Sequence, residues 1–314
     1  MSTNQTADDD ARAVAALEDQ LEALANTSPT SFWVIAWRRL RRDRLTMTAL
    51  AILVIIAILT IFAGPISRNI LGVASPDESS LVDTFQGPSA EHLMGTDDLG
   101  RDQLTRLLYG GRISLLIGVL GTVFTVVLGV SIGMAAAYFG KWVDDAVIYI
   151  INTLGAIPSL YLLLIVGALW KLTPIALAVL FGLLGWPGIA RLVRSTVYSL
   201  REQEYVMASK ALGSSDVAIM YRHILPNVIP IVIIATARRV GNLILSESAL
   251  SFLSFGIKPP TATWGNMLTK AQQYMLRPDG RHLVIAPGVM ITLTVLCLFV
   301  IGDGLRDAMD PRLR

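Results

Sequence analysis

The chain has 314 residues, 53% of them hydrophobic and only 16% charged, with a formal net charge of +2. A mean hydropathy of +0.58 on top of that composition excludes an ordinary soluble domain. Cys297 is the single cysteine, so an intrachain disulfide is excluded as well.

Residues 1–30 hold six acids and one arginine and read as a disordered, acidic N-terminal tail. Within it Val14, Leu17, Leu21 and Leu24 stand at helical spacing over residues 11–25. No cleavable signal peptide is expected, because the first apolar run is long enough to be a stable span. Residues 31–111 form the next unit: a basic flank, a first span and an outer loop. Arg38, Arg39, Arg41, Arg42 and Arg44 precede the span, which favours the cytoplasmic side for this end and contact with membrane lipid rather than nucleic acid. Residues 45–67 carry no charge and are long enough to cross a bilayer.

The outer loop contains Asp97, Asp98, Arg101 and Asp102. Their spacing lacks the ligand pattern of an EF-hand, so no metal site is expected. A capped turn leading into an interfacial helix over residues 102–109 is expected instead. Residues 112–304 form a core of five further spans, and residues 305–314 a cytoplasmic C-terminal tail with Arg306, Arg312 and Arg314.

In that core the uncharged runs are residues 113–140, 146–170, 172–190 and 283–302. Gly129 and Gly133 have the spacing that lets membrane helices approach closely. Lys141, Asp144 and Asp145 are expected in a short inner turn. Pro158 and Pro187 are expected to kink their spans without breaking them. Residues 227–256 form the remaining span, interrupted by Arg238, Arg239 and Glu247. Intramembrane charge is costly and hints at function. Glu247 stands two turns after Arg239, so the two either pair or line a polar translocation pathway; alternatively the arginines snorkel at the inner end and Glu247 sits near the outer end. In the second outer loop, a helix over residues 265–276 with Trp264 and Tyr274 at headgroup level is expected. Six spans put both termini on one side, the cytoplasmic one, in an all-α, multi-pass membrane protein.

Residues 201–227 are the longest polar stretch between two strongly apolar regions in the second half. They predict two short helices about a hinge. Good helix formers run from Glu202 to Leu212, Gly213 suits a left-handed position after the first helix, and Ser214 or Ser215 caps a second that begins near Asp216. Glu204, Tyr205, Ala208 and Ser209 lie on the first helix, whose small-residue face suits either a plain loop or docking into another protein's groove.

Catalytic signals are missing. There is no phosphate-binding glycine loop with its lysine, no zinc-binding histidine pair and no cysteine cluster, so the chain is expected to bind no cofactor and to be no enzyme. His92, His223 and His282 are scattered across both sides of the membrane.

Four stretches carry a family resemblance. Residues 92–102 read HLMGTDDLGRD, and residues 204–213 with 222–227 read EYVMASKALG and RHILPN. Residues 250–268 contain LSFL, a glycine at 256, Pro259-Pro260 and WGNML, and residues 302–311 read GDGLRDAMDP. Together they resemble the C-type permease subunit of the dipeptide and oligopeptide ABC importers. The resemblance implies the type I ABC importer permease fold with residues 201–227 as a cytoplasmic coupling loop, in the inner (plasma) membrane. It implies a homologous second permease subunit, two ATP-binding subunits that hold ATP and Mg, and an extracytoplasmic substrate-binding protein. The coupling contacts implied are Glu202, Glu204, Tyr205, Ala208, Ser209, Gly213, Ser214 and Asp216. Short peptides are the implied substrate; nickel, glutathione or oligosaccharides on the same scaffold, and a stand-alone secondary carrier, are the alternatives. One departure is Met207, which stands where the wider permease motif has glutamate.

Overall fold

The computed structural model describes residues 32–309. The N-terminal tail expected over residues 1–30, and Arg312 and Arg314 of the C-terminal tail, lie outside them. Among the described residues the chain is helical, with a lone antiparallel bridge between Thr96 and Asp102.

The first helix, α1 (Phe32–Arg42), buries Ala36 and Leu40 and exposes Trp33 and Trp37. Asp43 then caps α2 (Arg44–Ile61), the first span, by accepting from the Leu45 amide at 3.1 Å. A short helix α3 (Ala63–Asn69) leads into the outer loop.

The second span is α4 (Gln103–Phe139). Its 37 residues measure about 55 Å, well beyond the roughly 30 Å of a hydrocarbon core. The interfacial helix expected over residues 102–109 is therefore not a separate element. No glycine or proline breaks the pattern between Asp102 and Phe139 strongly enough to end it, and those residues are the first turns of the same rod.

The third span differs from expectation at Pro158. Residues 141–169 form α5 (Lys141–Gly155) and α6 (Ser159–Leu169), bent by 72° at the break. Proline supplies no amide to the preceding turn, and it pushes Ile157 out of helical geometry, so the chain breaks rather than kinks. Asp144 and Asp145 lie inside α5; the turn before them is made by Gly140 and Lys141, both at positive φ.

Then come α7 (Pro174–Arg201), a short α8 (Glu204–Ala211), α9 (Asp216–Ile219) and α10 (Leu225–Phe252), with one wide π-turn at Met220–Ile224 joining α9 to α10. Pro187 stays within α7, as expected. In place of a helix over residues 265–276 there is a 3₁₀ turn (Asn266–Leu268) and a five-residue helix, α11 (Ala271–Met275). The last span is α12 (Arg281–Met309). Among the described residues five helices are long and apolar enough to cross a membrane, or six if the bent pair is one span. The architecture is all-α among the described residues, as the permease resemblance implies.

Packing centres on α4 against α7. A Cβ added to Gly129 would lie 2.6 Å from Ile189 Cβ, and one added to Gly133 would lie 2.6 Å from the Ala190 carbonyl oxygen. These two glycines, one turn apart, are what allows the helix axes so close. On its other sides α4 meets α10, and α10 meets α12, which packs on α2.

Candidate functional site

The 201–227 loop is built on the end of that central pair. Val206 is the one buried residue of α8, 3% exposed, and it plugs into a cluster of Met134 and Ala137 from α4, Ile189, Val193 and Val197 from α7, and Ile219 and Ile224 beyond the hinge. The α7 terminus is tied down by Arg201, whose Nη1 donates to the Ala137 carbonyl at 2.8 Å.

The hinge forms as its sequence dictates. Gly213 has φ +83°, its amide donates to the Lys210 carbonyl, and the Ser214 amide donates to the Ser209 carbonyl. That pair of bonds satisfies the open carbonyls at the end of α8 in a Schellman arrangement. The Ser215 hydroxyl, rather than Ser214, caps α9 by accepting from the Ala218 amide at 3.3 Å. The Ser214 hydroxyl instead accepts from Ser209 at 3.0 Å, and Ser209 also reaches His223 Nε2 at 3.3 Å. Asp216 accepts from the Tyr138 hydroxyl at 2.7 Å, tying the start of α9 to the last turn of α4.

Met220 joins the cluster around Val206 as well, and much of the rest of the loop faces out. Glu202, Glu204, Ala208 and Gly213 are exposed. So are the large apolar side chains of Tyr205, Met207, Leu212, Val217 and Tyr221, and Leu212 keeps 87% of its surface. Isolated exposed apolar residues are common, but five of them on one projecting loop form a patch suited to a partner.

The same face is braced by charge. Arg194 of α7 makes a two-pronged contact with Asp144 of α5, Nε to Oδ1 at 2.5 Å and Nη2 to Oδ2 at 2.7 Å. The Tyr198 hydroxyl donates to the same carboxylate at 2.5 Å, and Arg201 stacks on the Tyr198 ring at 4.5 Å. Sequence reasoning passed over this cluster, because Asp144 looked like a turn residue. The Asp144 position, four residues into a helix that follows Gly140, was the available signal.

The charges in α10 separate into three places. Arg238 is exposed and pairs with Asp303 of α12. A Cβ on the neighbouring Gly302 would meet Arg238 Cγ at 2.9 Å, while Gly304 packs on Thr46 at the start of α2. Arg238 therefore lies toward the membrane end that carries the 201–227 loop. Glu247 is fully buried toward the other end, where it accepts from Ser251 at 2.8 Å and from Ser114 of α4 at 3.2 Å. No ion pair joins Glu247 to Arg239 among the described residues.

Ser114 connects Glu247 to the second outer loop, since its hydroxyl also accepts from the Trp264 amide at 3.1 Å. Trp264 does not sit at headgroup level: it is fully buried, its indole donates to the Leu107 carbonyl at 2.9 Å, and it fills the space left by Gly111. The indole N–H finds its partner inside the protein, so water or headgroups have no claim on it. Tyr274, 7% exposed, is buried too.

Around this lies a cavity of about 660 Å³ at the outer-loop end. Asp97 accepts from the Leu99 and Arg101 amides at 2.9 and 3.0 Å, and its carboxylate also meets the Arg101 guanidinium at 2.7 Å and Arg106 at 3.5 Å. Asp98 pairs with Lys270 across the cavity. Asp102 caps α4 through the Thr105 amide at 2.7 Å and meets His92 Nδ1 at 3.1 Å. Burial pushes the Asp98 carboxyl up, but hydrogen bonds from Lys270 and Tyr274 and the charges of Lys270 and Arg101 outweigh it and hold the group below the usual carboxylate range. These acids are thus committed to cations and amides of the chain itself.

Residues 126–314 match the family described as binding-protein-dependent transport system inner membrane component, and residues 31–88 match the N-terminal TM domain of oligopeptide transport permease C. The chain is 36% identical over 297 residues to a dipeptide transport system permease protein of Alkalihalophilus pseudofirmus, covering 95% of this chain and 93% of that one. It is 37% identical over 279 residues to the dipeptide transport system permease protein of Bacillus subtilis, covering 89% and 85%. It is also 34% identical over 282 residues to a glutathione transport system permease protein of Escherichia coli, covering 90% and 91%. The chain therefore belongs to the binding-protein-dependent inner-membrane transport components, as a multi-pass ABC permease whose first span is of the oligopeptide C type.

Proposed function

We propose that the chain is one of two homologous permease subunits of an ATP-driven importer for short peptides, with residues 201–227 docking into a cleft of an ATP-binding subunit. The observation that carries the proposal is the exposure of the large apolar side chains Tyr205, Met207 and Leu212 on and just after a hinged helix whose only buried anchor, Val206, is set in the α4–α7 core. Closure of the ATP-binding subunits would press on that face. Val206 and the Tyr138–Asp216 bond would then carry the motion into α4 and α7 as a rigid-body shift.

The relatives favour short peptides as cargo: two are named for dipeptides, and the third for glutathione, itself a small peptide. Met207 replaces a charged position of the wider motif, so docking here rests on apolar contact, with Glu202 and Glu204 the nearest carboxylates. In this reading ATP and Mg belong to the partner subunits, an extracytoplasmic binding protein delivers cargo to the outer loops, and both termini are cytoplasmic. Asp97, Asp98, Arg101, Asp102 and Trp264 hold in place the outer loops that would receive the cargo, and Arg238, Arg239 and Glu247 are candidates for the pathway.

Gly213 tests the coupling step. No neighbour would meet a Cβ there, so only its positive φ restricts substitution. Gly213→Val should abolish ATP-dependent peptide uptake by the reconstituted transporter while the chain stays in the membrane. Gly213→Asn, which tolerates the left-handed region, should retain most of it. Normal uptake by the valine variant would rule the coupling role out.

A further inference from the structure

The inference begins with Arg239, an arginine in the middle of a span that finds no counter-charge among the described residues. Arg239 is the fifteenth residue of α10 and is partly buried. Its Nε is fully buried and has no hydrogen-bond partner, and no carboxylate lies within ion-pair distance among the described residues. Other arginines of the helices are treated differently. Buried Arg106 has Asp97 and Asp77, partly buried Arg194 has Asp144, and even the adjacent, exposed Arg238 takes Asp303. Glu247, two turns along the same helix, is already engaged by Ser114 and Ser251.

The packing makes room for the guanidinium. It lies against α7 at Gly185, where an added Cβ would fall 1.8 Å from Nη2, and Thr125 of α4 stands beside the same spot, 2.9 Å from that Cβ. Any larger residue at position 185 would evict the side chain. One turn further on α7, Gly188 opens onto free space. The helices thus seat the cation against the Gly185 backbone, beside Thr125. A desolvated charge without a partner is strongly unfavourable, and such residues in spans pair with something.

We propose that Arg239 is a carboxylate-binding position completed from outside this chain. Two sources share that chemistry: the C-terminal carboxylate of a transported peptide, and an acidic side chain of the second permease subunit. The proposal rests on the permease reading above for either source. It predicts that position 239 must carry a positive charge, whatever the side chain's shape.

The test uses the complete transporter in proteoliposomes with its binding protein, comparing Arg239→Gln and Arg239→Lys with the unmodified chain. Three readings are taken: uptake of dialanine, ATP hydrolysis stimulated by the binding protein, and thermal stability of the assembled complex. If the peptide supplies the carboxylate, Arg239→Gln leaves assembly and stability unchanged and lowers uptake about tenfold or more, as expected for loss of one charge-assisted contact, while Arg239→Lys restores most of it. If the second subunit supplies it, Arg239→Gln destabilises the complex and Arg239→Lys restores it. Glutamine behaving as the unmodified chain in all three readings would overturn the proposal, and so would lysine and glutamine being equally impaired. Failure of the unmodified transporter to take up dialanine would defeat the peptide reading alone. Stimulated ATP hydrolysis and stability, compared between the two variants, would then still decide on Arg239.

Discussion

Glu247 shows how much a single charge in a span depends on its surroundings. Two turns of helix, about 12 Å along the axis, separate it from Arg239, and its two oxygens are held by Ser251 and Ser114. The carboxylate is thus the centre of a buried hydroxyl network that holds Trp264 and the second outer loop onto α4. Replacing Glu247 by Ala leaves two buried hydroxyls short of a partner and should cost about 1–3 kcal/mol of stability in detergent, whereas Gln keeps an acceptor and costs less. Because Arg239 takes no part in that network, a double-mutant cycle of Glu247→Ala with Arg239→Ala should be additive within about 0.5 kcal/mol. A coupling energy well above that would mean the two charges do meet. At this scale the sequence announced that α10 carries unusual charges. It could not say which neighbour each one finds, because Ser114 is 133 positions away from Glu247.

Between elements, the α4–α7 contact is set by backbone proximity. Gly133→Val would drive its side chain into the Ala190 backbone, which cannot move aside as a side-chain tip can. Overpacking of this kind costs about 1–3 kcal/mol or more, and the folded yield after membrane extraction should fall sharply. Gly188→Ala, on the exposed side of α7 with nothing within 4 Å, should extract normally and serves as the matched control. The outer segments respond to acid instead. Asp98 has a depressed carboxyl, so its contact with Lys270 contributes stability above the ordinary carboxylate range and loses it as pH falls through the lowered value. Protection of residues 96–102 against hydrogen exchange, taken relative to the intrinsic rate at each pH, should fall below about pH 4, in the range set by an ordinary aspartate, and Asp98→Asn should be poorly protected already at neutral pH with a weaker acid response. The glycine spacing in α4 was legible beforehand. The break at Pro158 and the depth of Trp264 were not, because an apolar run measures length and an indole suits both a headgroup and a core.

Across the molecule, two long rods, α4 and the continuous stretch from α9 to α10, run from the outer loops to the 201–227 loop. Composition and uncharged run length alone determined that the chain is a multi-pass helical membrane protein, since a bilayer leaves no other home for such runs. The glycine after α8 and the serine before α9 also spoke locally, through backbone chirality and capping, which need no distant partner. Contacts between residues far apart in the chain were decided only by the tertiary structure. It sank Val206 into the α4–α7 core and left Tyr205, Met207 and Leu212 bare, gave Asp144 to Arg194, buried Trp264 over Gly111, and set Arg239 where no carboxylate among the described residues meets it. The physical reason is the same in each case. Hydrophobic run length and turn chemistry act over a few residues, whereas the partner of a buried charge or ring is fixed by which helices pack together.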